Sequence, residues 1–449
     1  MGSSAAAVEV EARIGPIGTE LAERFPAPGR SPAAAIERRL MRRMVDDAEL
    51  RAALFRFVDV RPACSSSAEI SRHLAELLGT ADGSQLADRL ARLTNASVLR
   101  LPTALVATAG VRQMAHRFIA GADAGGALGE LGGLWRDGVA SSVDLLGEAT
   151  LTEDEANAYA ARCEEVLRTL AEAAPKWPER PLLEHDGAGP LPRVNLSVKV
   201  SALTPALRPN APARGAGGAR DRLRHLLRVA RELGAHLHID MESFDTYESV
   251  TTLVLELLAQ PEFADGPSAG VVIQAYLKSS GEQLDRVLDW ARAHPRAHPL
   301  GVRLVKGAYW DHEVAGAAQK GWPPPVFTER AETDRQFELL SRRLLDGVPA
   351  VRVAIASHNL RSIAQAIAYS DAIGLEQNAL ELQVLRGLGD ETQAAIAASG
   401  RRVRSYCPVG DLVAGMAYLV RRLLENTAND SFLVDHAAGT DLERLLERP

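Results

Sequence analysis

Residues 301–310 read GVRLVKGAYW, and the fold turns on how they are taken. Val302, Arg303, Leu304 and Val305 suit a half-buried strand, because β-branched and apolar side chains favour a pleated backbone. Gly307 and Ala308 end it with two small residues that let a large group approach the main chain. Tyr309 and Trp310 supply flat surfaces where the strand runs out. A strand that carries Arg303 and Lys306 inward must pair them or aim them at a ligand, since an unpaired buried charge is costly.

Outward from this stretch, strand-like runs recur at 139–146, 194–200, 236–241, 270–277, 301–305, 351–357, 380–385 and 402–406. Amphipathic stretches separate them, among them 220–233, 282–293, 334–345 and 361–373, and a last helix is expected at 412–426. Eight alternating units predict a (β/α)8 TIM-like barrel over residues 138–435. A doubly wound open sheet is the alternative, but no GxGxxG follows the first strand. A Pro/Gly loop is expected at 208–219. Before the barrel, residues 1–34 are rich in Ala, Gly, Pro and Ser and read as a disordered tail. Residues 35–137 read as an all-helical arm, with Leu40, Met44, Leu50, Leu54 and Phe57 near a helical period and further helices at 67–78 and 104–120. The arm is expected to serve packing or oligomer formation, without chemistry. Residues 436–449 are expected to be a C-terminal tail.

The composition is that of a globular chain: 449 residues, 46% hydrophobic, 24% charged, formal net charge −7. No basic stripe points to nucleic acid. Cys64, Cys163 and Cys407 are far apart, so neither a disulfide framework nor a structural zinc site is expected. No apolar run is long enough to span a bilayer. The expected location is cytoplasmic, with peripheral contact at a membrane left open.

In such a barrel the active site lies where the strands end. Polar residues collect there: Asp144 and Glu148, Lys199 and Ser201, Asp240 and Glu242, Gln274 and Tyr276, then Arg303 and Lys306. His358, Asn359, Gln383 and Tyr406 follow on the last three strands. A purely structural barrel needs no such collection. Lys199 or Lys306 could form a Schiff base, or either could pair with Asp144, Asp240 or Glu148. His236, His238 and Asp240 alternate on one strand, a spacing that could bind metal; packing histidines are the plainer reading, and no metal is expected. On the expected last helix, Leu412, Met416, Leu419, Val420 and Leu423 form an apolar stripe, with Arg421 and Arg422 opposite. A pair of arginines over the barrel mouth is suited to gripping a small carboxylic acid.

Together these residues resemble the proline dehydrogenase family, in the form found in bacterial proline utilization A. The resemblance covers roughly residues 35–435 and rests on DLLGEAT (144–150), LSVKVSAL (196–203), HIDMES (238–243), VIQAYLK (272–278), RLVKGAYWDHEV (303–314), YCPVGD (406–411) and YLVRRLLENTANDSF (418–432). It implies a distorted (β/α)8 barrel that holds FAD and oxidises L-proline to Δ1-pyrroline-5-carboxylate, passing electrons to a quinone. It further implies that Arg421 and Arg422 bind the proline carboxylate with help from Lys199. Tyr406, Leu385, Ala308 and Tyr309 would line the ring, and Glu148 would pair with Arg421 as a gate. Asp240, Gln274, Arg303, Val305, Lys306, Gly307 and Trp310 would surround the flavin. Thr328, His358, Asn359, Gln383 and Glu425 would hold the rest of FAD.

The chain departs from the family pattern on the seventh strand. Gln383-Val384-Leu385-Arg386-Gly387 replaces Gln-Cys-Leu-His-Gly, so Arg386 is expected to add a charge near the site. Thr328 is followed by Glu329-Arg330 where two basic residues are expected. Neither an aldehyde dehydrogenase segment nor a ribbon-helix-helix segment is expected within these residues. Two competing functions remain: a flavin dehydrogenase for another cyclic imino acid such as hydroxyproline, and a flavin-free lysine Schiff-base lyase.

Overall fold

The computed structural model describes residues 2–26, 66–80, 117–147, 150–208, 211–411 and 442–449, with isolated positions between 49 and 64. Eight strands form a closed barrel: β1 (Val139–Leu145), β2 (Asn195–Lys199), β3 (His236–Asp240), β4 (Ser268–Gln274), β5 (Leu300–Val305), β6 (Val351–Ala356), β7 (Leu380–Leu385) and β8 (Val403–Val409). Every pairing is parallel, each strand lies beside its sequence neighbours, and β1 closes the ring against β8. All eight expected strands are present. The eighth runs three residues past its expected end and carries Pro408 within it.

The barrel wall is buried on both sides, which explains why its strands read as near-continuous apolar runs. Leu196, Val198, Leu237, Ile239, Val302 and Leu304 lie in the main core, against which the surrounding helices pack. Glu153–Ala173 opens on a capping box in which Thr152 and Glu155 satisfy each other's backbone N–H groups. Pro212–Glu232 follows β2, so the loop expected at 208–219 is corrected. Pro212 stands in the first helical turn, where it costs no hydrogen bond, and the helix absorbs the glycines beyond it.

The N-terminal expectation is also corrected. Gly2–Glu23 is a helix, not a disordered tail. Val10, Ile14, Ile17 and Leu21 recur at helical spacing, a stripe that the Ala/Gly-rich composition hid. Val10 and Ile14 pack on Ala364 and Ala368 of the helix Leu360–Ala372. Arg361 of that helix, buried beneath, bonds Glu11 and Glu338 and donates to the Leu446 carbonyl at 2.7 Å. The C-terminal tail is thereby pinned too: it holds a short helix, Leu442–Leu445, and the Leu446 side chain packs against Gly18. Of the expected arm, Ser67–Leu78 is a helix capped by Ser66. Ala124–Arg136 packs Ala127 and Leu131 into the barrel's own core. The other arm helices and the helix expected at 412–426 lie outside the described residues. No described helix is long and apolar enough to cross a membrane.

Candidate active site at the barrel mouth

Arg303 organises the C-terminal end of the barrel. It points inward from β5 and is 4% exposed, so its charge must be met inside the protein. Its Nε donates to Gln383 Oε1 at 2.7 Å and its Nη1 to Asp240 Oδ1 at 2.7 Å. The Ser142 and Ser197 hydroxyls lie 3.3–3.4 Å from the same guanidinium. Tyr406 donates its hydroxyl to Asp240 Oδ2 at 2.6 Å, and the guanidinium stands 5.3 Å from the Tyr406 ring centre. Six strands thus supply one network. The Gln383 amide has its own anchor: Nε2 donates to Glu381 Oε1 at 2.6 Å, which fixes the amide so that its oxygen faces Arg303.

Lys199 bonds Asp144 and lies 3.5 Å from Asp240 Oδ2. Burial alone would lower the pKa of its ammonium, but Asp144 and Asp240 outweigh that and hold it above the ordinary lysine value. Burial would likewise raise the Asp240 carboxyl, yet Lys199, Arg303 and the Tyr406 hydroxyl hold it below the usual range. Glu242, half-buried beside them, is shifted upward, foremost by desolvation. A lysine held as ammonium is no nucleophile, which removes the chemical basis for a Schiff base at Lys199. Lys306 bonds Asp334, and burial, opposed by that carboxylate, lowers its pKa.

These groups open onto a cavity of about 290 Å³. Of the expected site residues, Lys199, Asp240, Gln274, Arg303, Val305, Lys306, Gly307, Ala308, Tyr309, His358, Asn359, Gln383, Leu385 and Tyr406 all line it. His358 Nε2 accepts from the Leu385 backbone N–H at 2.8 Å, so the ring proton sits on Nδ1. Asn359 Oδ1 caps the helix Leu360–Ala372 by accepting from Ser362 N at 2.9 Å. Gly307 has φ +132°, and a Cβ there would stand 2.4 Å from the Tyr276 ring. The close approach that its small size permits is therefore with Tyr276.

Two expected residues do not line the cavity. Trp310 opens the helix Trp310–Lys320 and donates Nε1–H to the Phe327 carbonyl at 2.9 Å. Thr328 is exposed beside it. Glu148, Arg421, Arg422 and Glu425 lie outside the described residues. Arg386 does not face the cavity either; its guanidinium donates to Glu130 Oε1 at 2.6 Å on the helix Ala124–Arg136. Sequence reasoning missed Asp334, the partner of Lys306, and Glu381, the anchor of Gln383. Glu381 carried a readable signal, an acid two residues before Gln383 on one face of a strand. His236 and His238 sit toward the opposite end, 3.1 Å apart through Nε2 and Nδ1, with His236 Nδ1 2.8 Å from Ser268 Oγ.

The molecule is a parallel (β/α)8 barrel with a charged, ligand-sized cavity at the end where such barrels carry their chemistry. A proline dehydrogenase family profile matches residues 127–435, and a proline utilization A N-terminal domain profile matches residues 11–118. The chain belongs to the proline dehydrogenase family. The bifunctional protein PutA of Salmonella typhimurium is 33% identical over 347 residues, which are 76% of this chain and 25% of that protein. Proline dehydrogenase 1 of Bacillus subtilis is 29% identical over 326 residues, 72% of this chain and 91% of that one. A solved structure of proline utilization A from Bdellovibrio bacteriovorus, inactivated by N-propargylglycine, aligns with a TM-score of 0.86 and 35% identity. It covers 98% of this chain and 44% of that one. The chain thus spans a quarter of the length of the curated PutA relative, and less than half of that structure.

Proposed function

We propose that the chain is an FAD-dependent dehydrogenase that oxidises L-proline to Δ1-pyrroline-5-carboxylate and passes the electrons to a quinone. The observation that carries this reading is the Tyr406–Asp240–Arg303–Gln383 network, joined by Lys199, opening onto a cavity in a member of this family. The cavity's chemistry fits a flavin. Gln274 lines it, and its Oε1 is buried without a hydrogen-bond partner while its Nε2 donates to the Glu242 carbonyl. A buried acceptor left unpaired costs roughly 1–3 kcal/mol. An isoalloxazine offers an imide N–H flanked by carbonyls, which suits an acceptor with Arg303 and Lys306 nearby.

When bound, the flavin would supply the two-electron acceptor for the carbon beside the proline ring nitrogen. The chain's own residues do the rest. Arg303 and Lys306 place positive charge at the cavity wall, where it would offset negative charge developing during reduction. Val305 and Gly307 would continue that wall. The start of the helix Leu360–Ala372, with His358 and Asn359 before it, would take the cofactor's phosphates, because helix N-termini favour anions. Thr328, Trp310 and Glu425 are proposed for the outer part of FAD. Tyr406, with its hydroxyl fixed by Asp240, would form one side of the proline subsite; Leu385, Ala308 and Tyr309 would form the others. Tyr406's bulk favours an unsubstituted ring over hydroxyproline.

Arg421 and Arg422 would grip the carboxylate, Lys199 would add a third positive charge, and Glu148 would gate the mouth through Arg421. Arg422→Met tests the clamp by steady-state kinetics. The proline KM is expected to rise at least about 100-fold, the loss of one or two charge-assisted hydrogen bonds, with flavin still bound. An unchanged KM would remove the assignment. The helical segment before the barrel is proposed to support an oligomer, and transfer to a quinone would call for peripheral contact with a membrane.

A further inference from the structure

The far end of the barrel holds a second cluster of buried charge, tied to the mouth through Glu381. Arg352 on β6, Arg402 just before β8 and Arg404 on β8 converge there; Arg402 is 1% exposed and Arg352 8%. Two carboxylates answer them. Glu381 takes both Arg404 Nε and Nη2, at 2.8 and 2.9 Å. Asp186, on the hairpin under the barrel, lies 3.1 Å from Arg352 Nε and 3.5 Å from Arg402 Nη1. His236 and His238 add no charge: burial foremost, then the surrounding arginines, depresses both imidazoles, His236 to about 3 and His238 well below its ordinary value. Three guanidinium groups against two carboxylates leave the cluster with one positive charge in excess.

Arg352 Nη1 is a buried polar atom without a hydrogen-bond partner, and Arg402 Nη1 meets only the long 3.5 Å ion-pair contact with Asp186. Both residues line a cavity of about 40 Å³, walled also by Leu191, His238, Gly301 and Glu381. Gly270 and Gly301 help shape that floor. A Cβ at Gly270 would stand 2.5 Å from the His238 ring, and one at Gly301 3.3 Å from His236. The space suits one spherical ion with about one or two waters. It is too small for a nucleotide or a carboxylic acid of proline's size.

From the unmatched charge, the unpartnered Arg352 Nη1, the weakly paired Arg402 Nη1 and the small cavity that both residues line, we infer that the bottom of the barrel binds one small monovalent anion of the halide class, held between Arg352 and Arg402. The ion balances the excess charge, supplies the acceptor that Arg352 Nη1 lacks and gives Arg402 Nη1 a closer one than Asp186. A divalent anion would overshoot the balance. The site lies at the opposite end from the mouth, with Gln383 in the wall of both cavities, and does not depend on which substrate the mouth takes.

Crystals of this chain grown in sodium bromide, measured at the bromine absorption edge, test the inference directly. One anomalous peak is expected in contact with Arg352 Nη1 and Arg402 Nη1; water without anomalous signal at that point would overturn it. In solution, chloride is expected to raise the melting temperature over gluconate at constant ionic strength, saturably and on the order of 2 °C. Arg352→Gln removes the excess charge and should abolish that rise. A rise that persists in the variant, or one that never saturates, would assign the effect to general salt screening. If the variant does not fold, the bromide peak alone decides.

Discussion

At the mouth of the barrel, Arg303 and Lys199 share Asp240 and Asp144, and the cluster opens onto about 290 Å³. At the bottom, Arg352, Arg402 and Arg404 share Asp186 and Glu381 around about 40 Å³. Both ends bury charge, but the mouth keeps polar groups facing a space large enough for a substrate. The bottom closes its charge beneath a hairpin. The two ends are also joined: Glu381 belongs to the lower cluster, yet its Oε1 anchors the Gln383 amide that receives Arg303. Buried charge alone therefore does not mark an active site. A buried charge beside ligand-sized space does.

The sharpest way to break this comparison is Glu381→Gln. It removes the charge that faces Arg404 and sets an amide NH2 against one of the donors the carboxylate accepted from, Arg404 or the Gln383 amide, so the link between the ends should suffer. Breaking a buried pair costs about 3–5 kcal/mol, and urea unfolding should read a loss of that size. A loss below about 1 kcal/mol would show that the two ends are not tied through Glu381. Next in size, Arg303→Met leaves Gln383 and one oxygen of Asp240 without their donor. Activity with proline should fall at least about 100-fold, equivalent to ~3 kcal/mol, together with a lower flavin content; an unaltered flavin content would place Arg303 away from the cofactor.

Tyr406→Phe is milder. It removes one hydrogen bond to a carboxylate, worth about 1.5–3 kcal/mol, and should lower kcat/KM for proline roughly tenfold or more while the fold stands. Full activity in this variant would contradict Tyr406's place against the substrate.

Acid should separate the ends. His236 and His238 have depressed pKa values in the folded chain, so below about pH 6.5 the unfolded chain binds protons that the folded one does not. Stability is therefore complete above that pH and falls as pH drops toward the folded values, by at most about 1.4 kcal/mol per pH unit for each imidazole. Lys199, raised in the folded state, contributes fully below the unfolded lysine value and changes nothing in this window. Urea unfolding of the wild type and His236→Gln between pH 7.5 and 4.5 should show a shallower acid slope in the variant; parallel slopes would mean that His236 is not buried neutral. The smallest effect is expected from Arg386→His, which loses one partly exposed ion pair with Glu130. Its stability should change by no more than about 1 kcal/mol and its proline KM should hold; a large KM change would bring Arg386 back to the site.

The barrel was legible because parallel strands buried on both faces are apolar runs of fixed length, and eight of them recur. Most of the mouth was legible because barrel strands deliver their last residues to one place. Partners across space were not: nothing in 301–310 names Asp334 as the group that holds Lys306. Trp310 was misleading for a related reason. Its ring follows a glycine turn, and the start of a helix swings it to Phe327 instead of the cavity. The N-terminal helix was hidden because its alanines and glycines and the Pro16 inside it read as a tail, while only the spacing of Val10, Ile14, Ile17 and Leu21 carries its packing face.

The most direct test of the mouth as a proline-oxidising flavin site is an anaerobic titration of the purified chain with L-proline, followed by visible absorption. An oxidised flavin spectrum that bleaches as proline is added is the expected result. A chain that shows no flavin even after incubation with FAD, or a flavin whose spectrum proline leaves unchanged, would contradict it.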